Sequence, residues 1–503
     1  MQSGSRVSHL LVCSFISALG FAQPATVAEP FAPTAQPTAL GERLASIAKE
    51  STVKCELGVY VSETTSGKVI ASIQGEKFMT PASCNKLLTT AAGLSGFGPD
   101  YKFKTSIYAD GEISNGTLNG DLIVYGTGDP TIGARFQKDK TDVTFFFRQW
   151  AGKLKEKGIT KITRSVIADD SFFDDDYLHK DWYPNERAEW YSAEVSAVSF
   201  NDNCIDLTWD SNGAMPGDTL TTYTMSPTTT YGKITPAIRT VATGRPWEIL
   251  YRRPQGSNDI LVTGTLVINN KKNDSTAITD PALYTATVLH ETLTSEGLSV
   301  TGKPRKVRQL VAEKKPKLLF EHESQPMTDV INIINRNSQN FYAECVLKAL
   351  GKKDSNKGTY VDGCLAVNKW LKKAGAYEDG HAMVDGSGMA GENQVSPRML
   401  TKVIHAMDQG EHRETYRTSL PVGGVSGSIK ARFRDNAEIA TMGKRILAKT
   451  GGIGGVRTLS GIVTDNSGTE YYFSVMTNRL RDHDGGTKLI DKLVLEIAKN
   501  RLN

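Results

Sequence analysis

The stretch "TPASCNKLLTTAA", Thr80–Ala92, places Ser83 and Lys86 three residues apart at the start of a predicted helix. Residues with this spacing lie on one face of a helix. A serine hydroxyl is a weak nucleophile until a neighbouring base takes its proton, and Lys86 acts as that base if desolvation or nearby cations lower its pKa. The alternative is an N-terminal helix serine beside an exposed lysine. Because Ser51 and Lys54 repeat the spacing, the pattern alone decides nothing.

A second polar pair occurs in "RNSQNFYAE", which contains Ser338 and Asn340. A hydroxyl at this place can relay a proton, and a side-chain amide can hold a substrate carbonyl. The alternative is structural, because Ser338 comes three residues before Phe341, where an apolar helical pattern resumes, and serine is a favoured N-cap.

A third stretch, "RILAKTGGIGG", carries Lys449, Thr450 and Gly451 at the end of an apolar strand. Lys449 supplies positive charge, Thr450 offers a hydroxyl to a substrate carboxylate, and Gly451 lets a substrate backbone lie along the strand edge. The alternative is an ordinary turn at a strand end.

The whole chain has the composition of a soluble globular protein, with 503 residues, 39% hydrophobic and 23% charged. This length predicts two or three domains. The net charge of +4 and the lack of a long basic tract argue against nucleic acid as a partner. None of the eight histidines has a metal-ligand spacing, so we expect no metal site.

The N-terminal residues predict export. A cationic Arg6 precedes a short apolar run from Leu10 to Ala22, and small residues follow, which is typical of a secretory signal peptide, here 1–28. A buried N-terminal helix is the alternative. We find no run long enough to cross a bilayer, and five cysteines remain after the leader, too few for a disulfide scaffold. We therefore expect a location in the periplasm or the cell-wall space.

Secondary-structure patterns differ between the ends and the middle of the chain. A helix, a hairpin and a second helix occupy the stretch up to residue 98, short strand-like runs fill 99–316, and helices followed by strands return after Met327. We predict a split catalytic domain, 29–98 plus 317–503, interrupted by β-rich inserted domains at 99–175 plus 285–316 and at 176–284.

In chain order the three stretches read Ser-x-x-Lys, Ser-x-Asn and Lys-Thr-Gly, the signature of active-site-serine penicillin-recognising enzymes. From about Leu40 onward the chain resembles the D-alanyl-D-alanine carboxypeptidases of the class C low-molecular-mass penicillin-binding proteins, peptidase family S13. Other segments of the chain are also similar to segments of this family: "DLIVYGTGDPT", "DGSGMAGENQVSPRML" and "LPVGGVSGSIKARF". Ser338 lies 255 residues after Ser83 (338 − 83), a gap too long for a compact β-lactamase and similar to that of S13 enzymes with inserted domains.

The resemblance implies an α+β multidomain fold, with a split penicillin-binding/β-lactamase-like transpeptidase domain built on an antiparallel sheet flanked by helices. It also implies that Ser83 attacks the bond between two terminal D-alanines of a peptidoglycan stem peptide, with Lys86 as base. Ser338 and Lys449 then relay the proton to the departing nitrogen, and Asn340 holds the acyl-side amide. No metal or organic cofactor is implied.

Substrate contacts also follow from the resemblance. Thr450 binds the terminal carboxylate, and the backbone N–H groups of Ser83 and Gly452 form the oxyanion hole. Gly452 departs from the family, which often has Thr or Ser there. An aspartate of "IADDSFFDDD" is expected to meet the free amino group of the stem-peptide diamino acid; we assign it to Asp169, with Asp170 as the alternative. The "DGSG" at 385–388 is expected to be a shaped loop near the site.

The expected partners are peptidoglycan stem peptides and, as covalent inhibitors, β-lactams; DD-endopeptidase action on cross-links is compatible with the same chemistry. Cys84, beside the nucleophile, is expected to pack within the helix rather than to form a disulfide. Two rivals stay open at this point: a β-lactamase, and a non-catalytic cell-wall-binding scaffold of the same fold. The oligomeric state has no signal in the sequence.

Overall fold

The computed structural model describes residues 38–501, so the expected signal peptide lies outside the described residues. The strands are β1 Glu56–Glu63, β2 Val69–Ile73, β3 Lys104–Ser114, β4 Thr117–Gly126, β5 Lys161–Ile162, β6 Val166–Asp169, β7 Cys204–Asp210, β8 Thr219–Leu220, β9 Tyr223–Ser226, β10 Lys233–Val241, β11 Ile249–Arg252, β12 Asp259–Val267, β13 Lys271–Ala277, β14 Ser299–Val300, β15 Arg305–Lys306, β16 Lys317–Glu323, β17 Ile446–Ile453, β18 Val456–Thr464 and β19 Glu470–Asn478. The helices are α1 Ala39–Glu50, α2 Lys86–Phe97, α3 Phe145–Glu156, α4 Pro281–Ser295, α5 Leu310–Lys314, α6 Met327–Asn337, α7 Asn340–Ser355, α8 Tyr360–Lys373, α9 Pro397–Asp408, α10 Arg413–Ser419, α11 Ala437–Gly443 and α12 His483–Lys499.

The two ends of the described chain meet in one five-stranded antiparallel sheet with the order β17-β18-β19-β1-β2. The predicted hairpin is confirmed as β1 and β2. Helices α1 and α12 pack on one face of the sheet, where Leu44, Val59 and Leu493 share a core. The opposite face is covered by a second helical layer that includes α2 and α9. This sandwich brings the strand that carries Lys449 against the turn that carries Ser83.

The residues between α2 and α6 form an insertion, because these two helices pack directly on each other. The insertion contains a seven-stranded sheet built around β3 and β4, a four-stranded sheet with β10 and β12, and a three-stranded sheet with the order β13-β7-β9. It is β-rich as predicted, and it also holds the helices α3 and α4.

The boundaries of the insertion differ in one place from the prediction. Strand β16, which we assigned to the catalytic part, pairs antiparallel with β3 and extends the insertion's sheet, so the catalytic part resumes after Glu323. Hydrophobic side chains from both predicted inserted domains, such as Trp150 and Trp209, belong to one continuous core. Their division into two domains stays a prediction.

Within residues 38–501, no helix has the length and hydrophobicity needed to span a bilayer.

Candidate active site

Ser83 lies in a 3₁₀ turn, Ala82–Asn85, immediately before α2. We expected it in the first turn of the α-helix, but that helix begins at Lys86. Ala82 has a left-handed backbone with φ of 47°, which is unfavourable for a residue with a side chain. A loop presses on this turn, since a Cβ on Gly388 would lie 1.9 Å from the Ala82 carbonyl oxygen. Ser83 is therefore held in a strained and tightly packed turn.

The Lys86 side chain is completely buried beside Ser83. Its Nζ donates to Asn340 Oδ1 over 2.6 Å and to the Ser387 carbonyl over 2.7 Å, and it lies 2.9 Å from Ser83 Oγ. A neutral amine has two N–H groups and one lone pair. Because an amide oxygen and a carbonyl oxygen can only accept, they take the two N–H groups, and the lone pair is left for the hydroxyl, which can donate.

The electrostatics of the pocket favour that neutral amine. Burial lowers the pKa of Lys86 well below its usual value, and the positive charge of Lys449 lowers it further. A lysine with a lowered pKa can accept the proton of a neighbouring hydroxyl, and Ser83 is the hydroxyl within reach of Lys86.

Ser338 and Asn340 lie at the break between α6 and α7. Ser338 has a left-handed backbone with φ of 59° and ends α6, while Gln339 is the N-cap of α7. The alternative that Ser338 caps the second helix is therefore wrong. Besides accepting from Lys86, Asn340 donates through Nδ2 to the Tyr191 carbonyl over 2.8 Å, which fixes the orientation of its amide.

Lys449 and Thr450 lie on β17, the edge strand of the five-stranded sheet. Lys449 Nζ donates to Ser338 Oγ over 2.9 Å and to the Thr450 carbonyl over 2.8 Å. Burial lowers the pKa of Lys449 to about 8. Thr450 Oγ1 donates to Ser428 Oγ over 2.7 Å. The three motifs thus converge in two hydrogen-bonded groups, each built around one lysine amine: Lys86 with Ser83 and Asn340, and Lys449 with Ser338 and Thr450.

Gly451 explains how β17 approaches the nucleophile. A Cβ at this position would lie 2.2 Å from Thr458 Oγ1, 2.5 Å from the Pro81 carbonyl oxygen and 3.0 Å from the Ser83 nitrogen. The neighbouring Gly452 is exposed, and a Cβ there would meet the flexible Arg457 side chain at 3.3 Å. Gly451 is therefore required by packing, whereas Gly452 is not.

The loop "DGSG" contacts the site directly. The sequence predicted only that it is a shaped loop near the site. Its Ser387 carbonyl binds Lys86, and its backbone is held by two buried acids. Glu344 accepts from the N–H groups of Gly386 and Ser387 over 2.8 and 2.7 Å. Burial, together with the charge of Asp385, raises the pKa of Glu344 to about 8.

Asp385 is the second acid, and it connects the loop to the insertion. It accepts from the N–H groups of Gly388 and Ala390, both over 2.7 Å, and from Trp182 Nε1 over 2.9 Å. The two glycines of the motif were a usable sequence signal for this tight loop. Glu344 lies inside helix α7, and the sequence contains no signal for its role in holding the loop.

Asp169 is not brought into this cluster of hydrogen bonds. Its fully buried carboxylate accepts from the backbone N–H groups of Ser171, Gln309 and Val311. Asp170 is also buried and accepts from Tyr177 Oη over 2.7 Å. The assignment of Asp169 to the stem-peptide amino group stays a prediction.

Cys84 packs as expected. Its thiol is free and fully buried, and it donates to the Lys449 carbonyl over 3.2 Å. Burial raises the pKa of this thiol, so it is held as a neutral group between the turn and β17.

Known proteins are similar to this chain in architecture and in sequence. The family model described as "D-Ala-D-Ala carboxypeptidase 3 (S13) family" matches residues 40–499. A D-alanyl-D-alanine carboxypeptidase of Actinomadura sp. (strain R39) is 28% identical over 458 residues, which cover 88% of this chain and 81% of the relative. The crystal structure of penicillin-binding protein 4 (DacB) from Haemophilus influenzae superposes with a TM-score of 0.77 at 23% identity, covering 91% of this chain and 99% of the other. A second structure of that protein, in complex with a β-lactam, has a TM-score of 0.73 at the same identity and coverage.

The fold is a sheet-and-helix catalytic part with a long insertion, and its site pairs a serine hydroxyl with a lysine amine, an arrangement suited to a serine hydrolase. The family match extends over nearly the whole described chain. The chain belongs to the D-Ala-D-Ala carboxypeptidase 3 (S13) family and is a serine-type carboxypeptidase.

Proposed function

We propose that this carboxypeptidase removes the terminal D-alanine from peptidoglycan stem peptides through an acyl-enzyme on Ser83. The observation that carries the proposal is the contact set of Lys86 Nζ: two oxygens that accept its N–H groups and one hydroxyl, 2.9 Å away, that can donate to its lone pair.

In the proposed acylation, Ser83 Oγ forms a bond to the carbonyl carbon of the penultimate D-alanine while Lys86 takes the hydroxyl proton. The backbone N–H groups of Ser83 and Gly452 stabilise the oxyanion. The C–N bond then breaks, and a proton reaches the departing nitrogen through Ser338, which hydrogen-bonds to Lys449. Water hydrolyses the ester in the second half-reaction and releases the shortened peptide.

Binding of the substrate is assigned to the edge of β17. Lys449 and Thr450 would hold the terminal carboxylate, and Asn340 would contact the acyl-side amide. The substrate backbone would lie along the edge of β17 at Gly451, whose missing side chain lets this strand stay close to the Ser83 turn. Asp169 would bind the amino group of the diamino acid. A β-lactam carboxylate would use the same contacts, in line with the β-lactam complex of the Haemophilus influenzae protein.

DD-endopeptidase action belongs to the same proposal, because the cross-link is also an amide that follows a D-alanine. So does export to the periplasm or the cell-wall space, where this substrate occurs, which the predicted leader supports.

A labelled penicillin tests the proposed chemistry. We expect wild-type protein to carry one covalent label, located on the peptide that contains Ser83, and Ser83→Ala protein to carry none. Ser51→Ala is the matched control, because Ser51 belongs to a second Ser-x-x-Lys spacing to which we assign no role. A label that survives Ser83→Ala contradicts the proposal.

Release of D-alanine separates the enzyme from a binding scaffold. Incubated with a pentapeptide that ends in D-Ala-D-Ala, the wild-type protein should release free D-alanine catalytically, and the Lys86→Ala variant should lose about 10²- to 10⁴-fold in rate, as expected for loss of a general base. Lys54→Ala serves as the control, since Lys54 is exposed. Rapid turnover of the penicillin adduct would instead indicate a β-lactamase.

A further inference from the structure

A groove beside the catalytic cluster runs from the Ser338–Asn340 segment across the insertion. It consists of two adjoining cavities of about 480 and 500 Å³, which share Lys140, Val143, Trp190, Asp206 and Ser275 in their walls. Together they have the size of an elongated ligand site rather than of a single buried water. None of the catalytic contacts described above uses this groove.

The floor of the outer part is one face of the three-stranded sheet β13-β7-β9. On β7, Asp206 pairs across the strands with Ser226 and Ser275, and Thr208 pairs with Thr224 and Asn273. These six side chains point to the same face, because residues two apart in a strand share a face, and all six line the groove. They form a surface of hydroxyl, amide and carboxylate groups, with no apolar side chain among the six.

Some of these groups are already held in place by one another. Thr208 Oγ1 donates to Asn273 Oδ1 over 2.9 Å, and Ser275 Oγ donates to Asp206 Oδ1 over 2.5 Å. The side-chain amide N–H groups of Asn273 and the second lone pairs of the oxygens remain for a ligand. The surface is thus an ordered set of donors and acceptors rather than a collection of freely rotating side chains.

The inner end of the groove contains a buried group that points to a ligand. Gln339, which lies between Ser338 and Asn340 in the chain, lines the cavity with 3% of its surface exposed. Its Nε2 donates to Asp202 over 2.8 Å, but its Oε1 has no hydrogen-bond partner among the described residues. An unpaired buried amide oxygen is costly, so this atom is a ready acceptor for a ligand N–H or O–H group.

An aromatic ring stands where the two cavities meet. Trp190 is 39% exposed, although large aromatic side chains are usually buried. Its position is tied to the catalytic cluster, because the carbonyl of the next residue, Tyr191, accepts from Asn340. An exposed tryptophan presents a flat apolar face beside the polar sheet.

We propose that this groove binds the glycan of peptidoglycan, a chain of N-acetylated hexosamines. A pyranose ring has an apolar C–H face that matches the face of Trp190, and a rim of hydroxyl and acetamido groups that match the Thr, Ser and Asn side chains. An extended peptide would instead use the backbone of a sheet edge with pockets for alternate side chains, and this surface is a sheet face without such pockets. The inference rests on the proposed function, because the stem peptide cleaved at Ser83 is attached to this glycan.

Binding of a β-1,4-linked N-acetylglucosamine tetramer, measured by calorimetry on the full chain, tests the inference. We expect saturable binding to the wild type, a loss of about tenfold or more in affinity in Trp190→Ala, and retention of most of the affinity in Trp190→Phe, which keeps a flat ring. Asn273→Ala should weaken binding as well. Trp247→Ala is the matched control, since Trp247 is also 39% exposed but lies outside the groove, and it should bind like the wild type.

Penicillin labelling of the same samples separates the two proposals. Label on Ser83 without tetramer binding overturns the glycan site and leaves the proposed function intact. Tetramer binding without label on Ser83 overturns the proposed function and leaves glycan binding by the groove intact. Equal tetramer binding in wild type and Trp190→Ala also overturns the glycan site. The glycan site is also overturned if a free stem peptide binds to the wild type and loses affinity in Trp190→Ala, while the tetramer does not bind.

Discussion

Lys86 Nζ and Ser83 Oγ lie 2.9 Å apart, and the other two hydrogen-bonding neighbours of this amine are oxygens that can only accept. The geometry therefore directs the lone pair of a neutral lysine at the nucleophile. The second lysine of the site, Lys449, contacts Ser338 and a carbonyl instead, so the proposed function gives the two amines separate tasks: Lys86 would remove a proton, and Lys449 would supply charge.

Replacing Asn340 by Asp should place a negative charge next to Lys86 Nζ without changing the shape of the side chain. The carboxylate raises the pKa of Lys86, so the rate of penicillin acylation should fall by at least about tenfold at neutral pH and recover as pH rises. Stopped-flow acylation across a pH series measures this. Asn340→Ala, which also loses the contact with Tyr191, should slow acylation without that recovery. An Asn340→Asp profile parallel to that of Asn340→Ala would refute the role of Lys86 as base.

The pH profile of wild-type turnover should be bell-shaped. The ascending limb follows deprotonation of Lys86, whose pKa is lowered, because the neutral amine is the active form. The descending limb follows loss of the proton from Lys449 near its pKa of about 8, because the charged form binds the substrate carboxylate. In Lys449→Arg the guanidinium stays charged, so whatever activity remains should lack the descending limb near that pH. A limb that Lys449→Arg leaves in place must belong to another group.

Gly451→Ala should lower the acylation rate by about 10²-fold, since the new methyl group can be accommodated only if β17 moves away from the Ser83 turn. Gly452→Ala should be tolerated, because its methyl group meets only the end of the Arg457 side chain, and its N–H is retained. Penicillin acylation rates of the two variants provide the comparison. Equal rates in both would mean that the close contact at Gly451 does not position the nucleophile.

Asp385→Asn should reduce the free energy of unfolding by about 1–3 kcal/mol. Every contact of the Asp385 carboxylate described above is a donor, and the amide group of Asn would turn its own donors toward at least one of them. The midpoint of urea unfolding, followed by tryptophan fluorescence, measures the loss. Glu392→Gln, on an exposed position of the same loop region, should leave the midpoint unchanged. An unchanged midpoint in Asp385→Asn would show that the acid does not stabilise the loop.

The sequence was sufficient for the parts of the site that depend on short motifs. Ser83, Lys86, Ser338, Asn340 and Lys449 all lie in the predicted cluster, and the hairpin β1–β2 and the C-terminal strands lie where short runs of β-branched and aromatic residues predict them. The spacing of a motif predicts the positions of its side chains here because a single turn or strand sets those positions.

The sequence failed where tertiary packing decides. Helix α4 was not predicted, because it is buried on nearly all sides and so lacks an amphipathic period. Ser338 looked like a helix cap but adopts the left-handed conformation that separates two helices. Glu344 and the Ser387 carbonyl act through long-range contacts with the loop and with Lys86, and neither leaves a local pattern.

The central claim is that Lys86 is uncharged at neutral pH, and a titration of that amine by NMR tests it most directly. In protein labelled with ¹³C at lysine Cε, the difference between wild-type and Lys86→Arg spectra isolates the Lys86 signal. We predict the chemical shift of a neutral amine at neutral pH, because burial and the charge of Lys449 lower the pKa of Lys86. A Lys86 signal with the chemical shift of a charged amine at neutral pH would contradict the account.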